Sequence, residues 1–543
     1  MVTAQKWSVE GEDQPLSTSA TALTGTSSAV HKNVDGNEYN KEKASRAPAA
    51  TLTVEAATET EISVVASAPG KVILFGEHAV VYGKTAVGAA VSDLRIVTTT
   101  RCTVEALLVI ELPDLDLCFR RTTNDVAASF ESALEAALEA APAPPASLHL
   151  DLISAFIGDN WAEEKRKAIL PLVFLALALV PGVFLGRSGP AARGLTITAF
   201  SAPLPVGAGL GSSAALCVAT SAALTRLASL LSQDSSGRVR NGNARTLPAS
   251  TEATGKGEAN ASETSESGTL TDGAGPGRCS RPSPSELELI NAWAFAGETV
   301  LHGTPSGLDN SVSCYGGAIK FVKGMDGAGN VTEPIPGFPT LPIILTNTRV
   351  PKNTRTLVAG VRRLLEAHPG PTANTFDAIG AIAAEFLERV AVSAKGVGTP
   401  AMIPAEGVSD DRRGGRSLTE ECVGELMEMN HRLLCTLGVG HPALERVCEV
   451  ARAHGCKSKL TGAGGGGCAL TMLSSDKSLS KDSLVRDMVA EGFECYKSSL
   501  GGDGVLWHGE GVPPELEAAA KKGTKHVEMA TGGLAKRDGG MQC

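Results

Sequence analysis

Residues 207–218 read Gly-Ala-Gly-Leu-Gly-Ser-Ser-Ala-Ala-Leu-Cys-Val, a glycine-dense turn running directly into small, helix-forming residues. Gly207, Gly209 and Gly211 have no Cβ, so the backbone there can take positive φ and bring N–H groups close to an anion. The first turn of the following helix adds unpaired donors and the positive end of its dipole. Ser212 and Ser213 stand where either can cap that helix or turn a hydroxyl toward a phosphate-bound Mg²⁺. This favours phosphate binding, with a plain strand-to-helix turn as the reading the segment alone leaves open.

Two other glycine-containing segments fail as phosphate motifs. Gly83-Lys84-Thr85 resembles the end of a Walker A loop, but that loop needs a glycine at position 78, which is His. The run from Gly462 to Gly467 satisfies G-x-G-x-x-G, yet no acidic residue ends a second strand about twenty positions on, as a dinucleotide fold requires. Asp476 comes too early and lies in a Ser/Lys-rich stretch.

Three charged groups stand in contexts that ask for partners. Ile62–Ala68 reads as a strand, followed by Pro69-Gly70-Lys71-Val72-Ile73-Leu74-Phe75-Gly76-Glu77-His78. Lys71 lies within an apolar run, where a buried ammonium needs an anion, and Glu77 and His78 follow a glycine at the strand end. Ser285–Asn310 opens with Ser285 and Glu288 at capping-box spacing and continues as a helix, with Leu287, Ile290, Ala294 and Phe295 on one face. Glu298 sits near its C-terminal end, where a carboxylate opposes the helix dipole and calls for a cation. After Thr304-Pro305-Ser306-Gly307 the chain delivers Asp309-Asn310; singly, Asp309 reads as a turn-capping residue.

Five segments in order resemble the GHMP kinase superfamily and, within it, the mevalonate kinase family: Ala68–Gly83, Gly207–Ala215, Gly297–Asn310, Val350–Val361 and Lys459–Cys468. The resemblance spans about Ile62 to Gly509. It implies ATP- and Mg²⁺-dependent phosphorylation of the primary hydroxyl of mevalonate. In the same terms, Asp309 is the catalytic base and Lys71 the cation that lowers the hydroxyl pKa and contacts phosphate. Gly207, Ala208, Gly209, Leu210, Gly211, Ser212 and Ser213 wrap the ATP phosphates, with Lys71 and Ser201 as further nucleotide contacts. Ser213 and Glu298 are the Mg²⁺ ligands, and Glu77, His78 and Thr354 are substrate contacts. Phosphoryl transfer asks mainly for positioning and charge neutralisation, which these residue types supply. Three departures from the family pattern are Lys352, where relatives often carry Arg, Asp114, where they place Asn, and the stretch Ser201–Val206 before the glycine-rich turn, which is one residue longer than usual. Lys352 gives up a bidentate fork for a point charge.

The implied fold is α+β in two domains, 61–340 with the phosphate loop and 341–512 of ferredoxin-like type, with ATP in the cleft between them and the glycine run 462–467 closing on it. The resemblance further implies a homodimer. Another GHMP small-molecule kinase (phosphomevalonate, galactose or homoserine kinase) and a catalytically inactive kinase-like regulatory protein are the alternatives.

Composition fits this frame. The chain has 543 residues, 43% of them hydrophobic, enough for substantial cores. Residues 1–60 and 232–284 lack periodicity and large apolar groups and read as a disordered extension and a disordered insertion; 399–417 reads as a smaller insertion and 513–543 as a flexible tail. A net charge of −10 without a basic stripe argues against a nucleic-acid partner. Twelve cysteines with no C-x-x-C pair read as reduced core thiols. The longest apolar run, 168–185, contains Pro171 and Pro181 and reads as a buried helix rather than a membrane span. With no apolar signal core and a single Arg in the first 60 residues, the expected location is the cytoplasm.

Overall fold

The computed structural model describes residues 62–518 apart from 141–143, 145–149, 190–192, 233–278, 326–327, 397–417, 474–480, 510 and 515. The extension 1–60, most of the insertion 232–284, all of 399–417 and most of the tail lie outside the described residues.

The expected first strand runs on from Ile62–Ala68 to cover Ser63–Phe75. It is buried on both faces, which is why its sequence is a continuous apolar run rather than an alternation. Its antiparallel partner Ala86–Thr103 shifts register between Pro69 and Gly70, at the residue that has no N–H for the ladder. Ala86–Thr103 is long enough to hold three more strands: Gly194–Ala202, Ala318–Val322, and Glu494–Leu500 through one pair, Leu500 with Val91. The hairpin Leu107–Leu112 and Leu117–Thr122 extends Gly194–Ala202.

A second group of strands surrounds Leu341–Asn347, which pairs antiparallel with Cys468–Met472 and Glu494–Leu500; Lys457–Leu460 adds to Cys468–Met472. The helices Thr354–Ala367, Pro369–Gly396, Glu420–Thr436, Pro442–Ala453 and Lys481–Ala490 accompany this group. The described strands thus form one sheet joined across the two groups by the Leu500–Val91 pair.

The core of the first group is the helix Ser212–Leu231, packed on Ser63–Phe75 and Ala86–Thr103 and flanked by Glu163–Leu179 and Pro284–His302. It is the one helix among the described residues long and apolar enough to cross a membrane, and most of it is buried inside the protein. The apolar run 168–185 divides into Glu163–Leu179 and a short turn of helix, Pro181–Phe184, with Ile169, Leu172, Val173 and Leu175 fully buried.

Three expectations need correction. The capping box lies two residues earlier: Ser283 is the N-cap, bonded reciprocally with Glu286, and Pro284 is the first helical residue. Proline fixes a helical φ for itself and pushes the residue before it into extended backbone, so Ser283 becomes the cap. Part of the segment read as a disordered insertion is also built into the sheet, where Cys279–Ser280 pairs with Trp507 and His508. At the far end, Val512 and Leu516 pack against Val65, Val97 and Ala202, so the first residues read as tail touch the core.

Candidate active site

The glycine-rich turn enters its helix through Gly211, the N-cap, at φ 72°. Ser212 and Ser213 therefore occupy the first two helical positions, and neither caps the helix, contrary to the reading of the sequence; their hydroxyls are left for other partners. Glycine is required at Gly211 for a second reason: a Cβ there would lie 2.8 Å from Lys71 Cγ. Lys71 crosses under this turn, and its N–H donates to the Leu210 carbonyl at 2.8 Å.

Lys71 is buried, and its Nζ lies 2.9 Å from Asp309 Oδ1. Asp309 is in the first turn of the short helix Leu308–Tyr315, whose N-cap Gly307 takes φ 85° after the Pro305 turn. The carboxylate is half-buried, open enough for an acceptor hydroxyl to reach it. The expected base and the expected cation thus form one ion pair beside the phosphate loop.

Glu298 is buried at 4% exposure. Burial pushes its carboxyl pKa up to about 7, opposed by the Ser213 hydroxyl and the Lys71 charge and reinforced by Asp309. Its Oε1 has no hydrogen-bond partner among the described residues. The imidazole of His302 stands one helical turn on, with Nε2 3.9 Å from Glu298 Oε1 and 3.3 Å from Ser213 Oγ. An orphaned buried carboxylate oxygen beside a serine hydroxyl at a phosphate loop is the hard oxygen donor set that suits Mg²⁺. His302, quoted in the sequence motif without a role, joins this group because it follows Glu298 at i+4.

Lys352 occupies the notch between the two glycine runs. A Cβ on Gly209 would lie 2.5 Å from its Nζ, and one on Gly467 2.7 Å. Burial, with the Lys71 charge nearby, pulls its ammonium below the ordinary lysine range. It has no carboxylate within ion-pair distance among the described residues, so the notch holds a half-buried cation that lacks an anion.

The remaining expected residues divide. His78 takes a positive φ, 59°, and its Nε2 lies 2.9 Å from the Ala463 carbonyl in the second glycine run; burial lowers its pKa. Thr354, the first residue of its helix, is exposed two positions from Lys352. Ser201 and Glu77 are placed otherwise than expected. The Ser201 hydroxyl donates to the Leu204 carbonyl at 2.6 Å and its N–H to Asp114 Oδ2 at 2.6 Å, so both groups shape the entry to the loop. Glu77 turns inward, 1% exposed: one oxygen takes Lys459 Nζ and the other accepts from Asn430 Nδ2 at 2.9 Å. With both oxygens engaged and no solvent access, Glu77 is not free to contact a substrate. Its partners lie more than 350 positions away, beyond what local sequence reading could find.

A second polar cluster lines a cleft of about 790 Å³ at His431, Cys435, Glu445 and Cys448. The Leu460 N–H donates to His431 Nδ1 at 3.2 Å, so the neutral ring carries its proton on Nε2 and gives it to Glu445 Oε1 at 3.1 Å. Cys435 donates to the same oxygen. This arrangement keeps its protons and leaves His431 no lone pair for a metal. The described cysteines are all free thiols.

Residues 177–239 match the model of the GHMP kinases N terminal domain and residues 417–494 that of the GHMP kinases C terminal. The mevalonate kinase of Arabidopsis thaliana is 33% identical over 451 residues, covering 82% of this chain and 99% of that protein. Those of Bos taurus and Homo sapiens are each 34% identical, over 85% and 82% of this chain and 98% and 95% of theirs. The crystal structure of the Methanococcus jannaschii mevalonate kinase superposes with a TM-score of 0.50 at 20% identity, covering 82% of this chain and all of that one, a likeness of fold.

Proposed function

The chain belongs to the mevalonate kinase family of the GHMP kinases, and we propose that its ATP-dependent phosphorylation of mevalonate runs through Asp309, Lys71, Ser213 and Glu298. The acceptor hydroxyl oxygen bonds to the γ-phosphorus of ATP, the bond from that phosphorus to its bridging oxygen breaks, and ADP leaves. The hydroxyl proton passes to Asp309, whose carboxylate stands within reach of the loop. Lys71, held against Asp309 at 2.9 Å, favours the developing alkoxide and neutralises phosphate charge. The N–H groups at the start of the helix Ser212–Leu231 cradle the phosphates.

Ser213 and Glu298 are the residues that would hold Mg²⁺, supported by the unpartnered Glu298 Oε1. When bound, the ion neutralises charge on the β- and γ-phosphates. Lys352, lacking an anion in its notch, is suited to the carboxylate of the substrate or to the transferred phosphate. His78 borders the same groove.

The observation that carries this reading is the convergence of the Lys71–Asp309 pair and the buried Glu298 carboxylate on one glycine-rich helix start. The product, 5-phosphomevalonate, feeds isoprenoid and sterol biosynthesis. The cytoplasm, a reducing compartment, agrees with the free thiols, and a homodimer is the assembly implied by the family resemblance.

Turnover with MgATP and a panel of acceptors tests the assignment. Mevalonate should exceed galactose, homoserine and phosphomevalonate in kcat/KM by roughly 100-fold or more, because an acceptor that leaves buried polar groups unpaired is strongly rejected. A rate with mevalonate no higher than with the others would overturn it.

A further inference from the structure

Lys459 and Glu77 form an ion pair with side chains 0% and 1% exposed. Two charges taken this far out of water lose hydration that their mutual attraction repays only in good geometry, and an apolar pair of similar volume often serves stability as well or better. The pair is therefore poorly explained as a stabilising contact, and its place in the fold offers another explanation.

Lys459 lies on the strand Lys457–Leu460, immediately before the second glycine run; Glu77 lies just past the strand that carries Lys71. The contacts between these two segments are consecutive. Thr461 Oγ1 donates to the Ile73 carbonyl at 2.9 Å and accepts the Ile73 N–H at 3.2 Å. Glu77 takes Lys459 and Asn430, and His78 meets the Ala463 carbonyl. Gly76, at φ 97°, is pressed against Thr85 and Ala86, where a Cβ would come within 2.5 Å. His78 holds a positive φ that a non-glycine residue keeps only when its surroundings over-determine it. Glu77, anchored from behind by Lys459, supplies that restraint.

We propose that Lys459, through Glu77 and with Asn430 as a latch, is a positioning residue for the phosphoryl acceptor, fixing His78 and the Thr461–Gly467 loop as one rigid wall of the acceptor groove. The inference deepens the reading of this site as a small-molecule kinase and rests on it. It separates the acceptor side from the nucleotide side, because among the described residues neither Lys459 nor Glu77 hydrogen-bonds or pairs with the Gly207–Ser213 loop, the element assigned to phosphate in the proposed function. Burial lowers the Lys459 pKa and Glu77 opposes that shift, consistent with a pair whose members depend on each other.

The test is the double variant Glu77→Gln/Lys459→Met, which removes both charges together and keeps an amide beside Asn430, so that neither partner is left as a lone buried ion. Steady-state kinetics use whichever acceptor of the panel the wild type turns over, so a wrong acceptor assignment appears in the wild type and leaves the ratio of variant to wild type intact. The expected result is a folded enzyme whose acceptor KM rises roughly 10-fold or more while the ATP KM stays within about twofold, the cost of loosening a positioned group. Amide hydrogen exchange should accelerate at 76–83 and 460–467 and remain unchanged at 207–218. An unchanged acceptor KM, or equal rises for acceptor and ATP, would overturn the proposal, as would exchange that accelerates uniformly.

Discussion

Lys352 lacks the partner that Lys71 has. Lys71 reaches Asp309 at 2.9 Å, whereas Lys352 sits between two glycine runs with its ammonium depressed by burial and by Lys71. A half-buried cation without a counter-ion costs stability in the free protein and gains it back when an anion arrives. Lys352→Met, similar in length and uncharged, should therefore raise Tm in the free protein while lowering kcat/KM by roughly 10-fold or more through the loss of a charged contact. Differential scanning calorimetry and initial rates measured together check both signs. That Asp309, Lys71, Ser213 and Glu298 lie together was legible in the sequence, their roles being proposals, because each sits in a short motif whose spacing survives without the fold. Glu77 was misread because its partners Lys459 and Asn430 are distant in the chain, and nothing local in Gly76-Glu77-His78 says which way a carboxylate turns.

Between Lys71 and Lys352, the glycine-rich helix start is the element that sets distances, with Gly211 against one and Gly209 against the other. Gly211→Ala places a Cβ in a left-handed conformation, a cost of about 1–2 kcal/mol, and drives it against Lys71 Cγ at 2.8 Å. Gly207, at φ 75°, has no atom within 4 Å of a Cβ. Gly211→Ala should lower kcat by roughly 10-fold or more through displacement of Lys71, and Gly207→Ala should lose less activity at a similar loss of Tm. Equal kcat losses in the two variants would show that the Lys71 contact is irrelevant. Elements were legible in kind and less so in extent. The helix with Glu298 was expected from its apolar spacing, but its start moved because Pro284 imposes the cap on Ser283. The first strand ran on to Phe75 because register shifts let it pass Pro69 and Gly70, which a pattern-based boundary takes as a stop.

At the scale of the whole molecule, two groups of strands share one sheet through the Leu500–Val91 pair, and Lys71, Glu298 and Asp309 belong to the first while Lys352 and the second glycine run belong to the other. Buried Arg95 joins distant parts of the first group, donating to the Ser67 side chain and to the carbonyls of Ser67, Ser92, Asp503 and Gly504. Such closures explain why the order of strands could not be read from periodicity: the pairing of Cys279–Ser280 with Trp507 and His508 crosses more than 200 residues. The architecture was legible only through the five family-like segments, which carry no signal for the order of the strands. Phosphate transfer to mevalonate with Asp309 as the proposed base is the reaction on which everything above depends. The most direct measurement is ADP release in a coupled assay with MgATP and mevalonate, comparing the wild type with Asp309→Asn and following ATP binding in both. Mevalonate-dependent release that falls at least ~10²-fold in the variant, the lower end for loss of a positioned base, with ATP affinity retained, is the predicted result. Release at the wild-type rate from Asp309→Asn, or none from the wild type with mevalonate present, would contradict it.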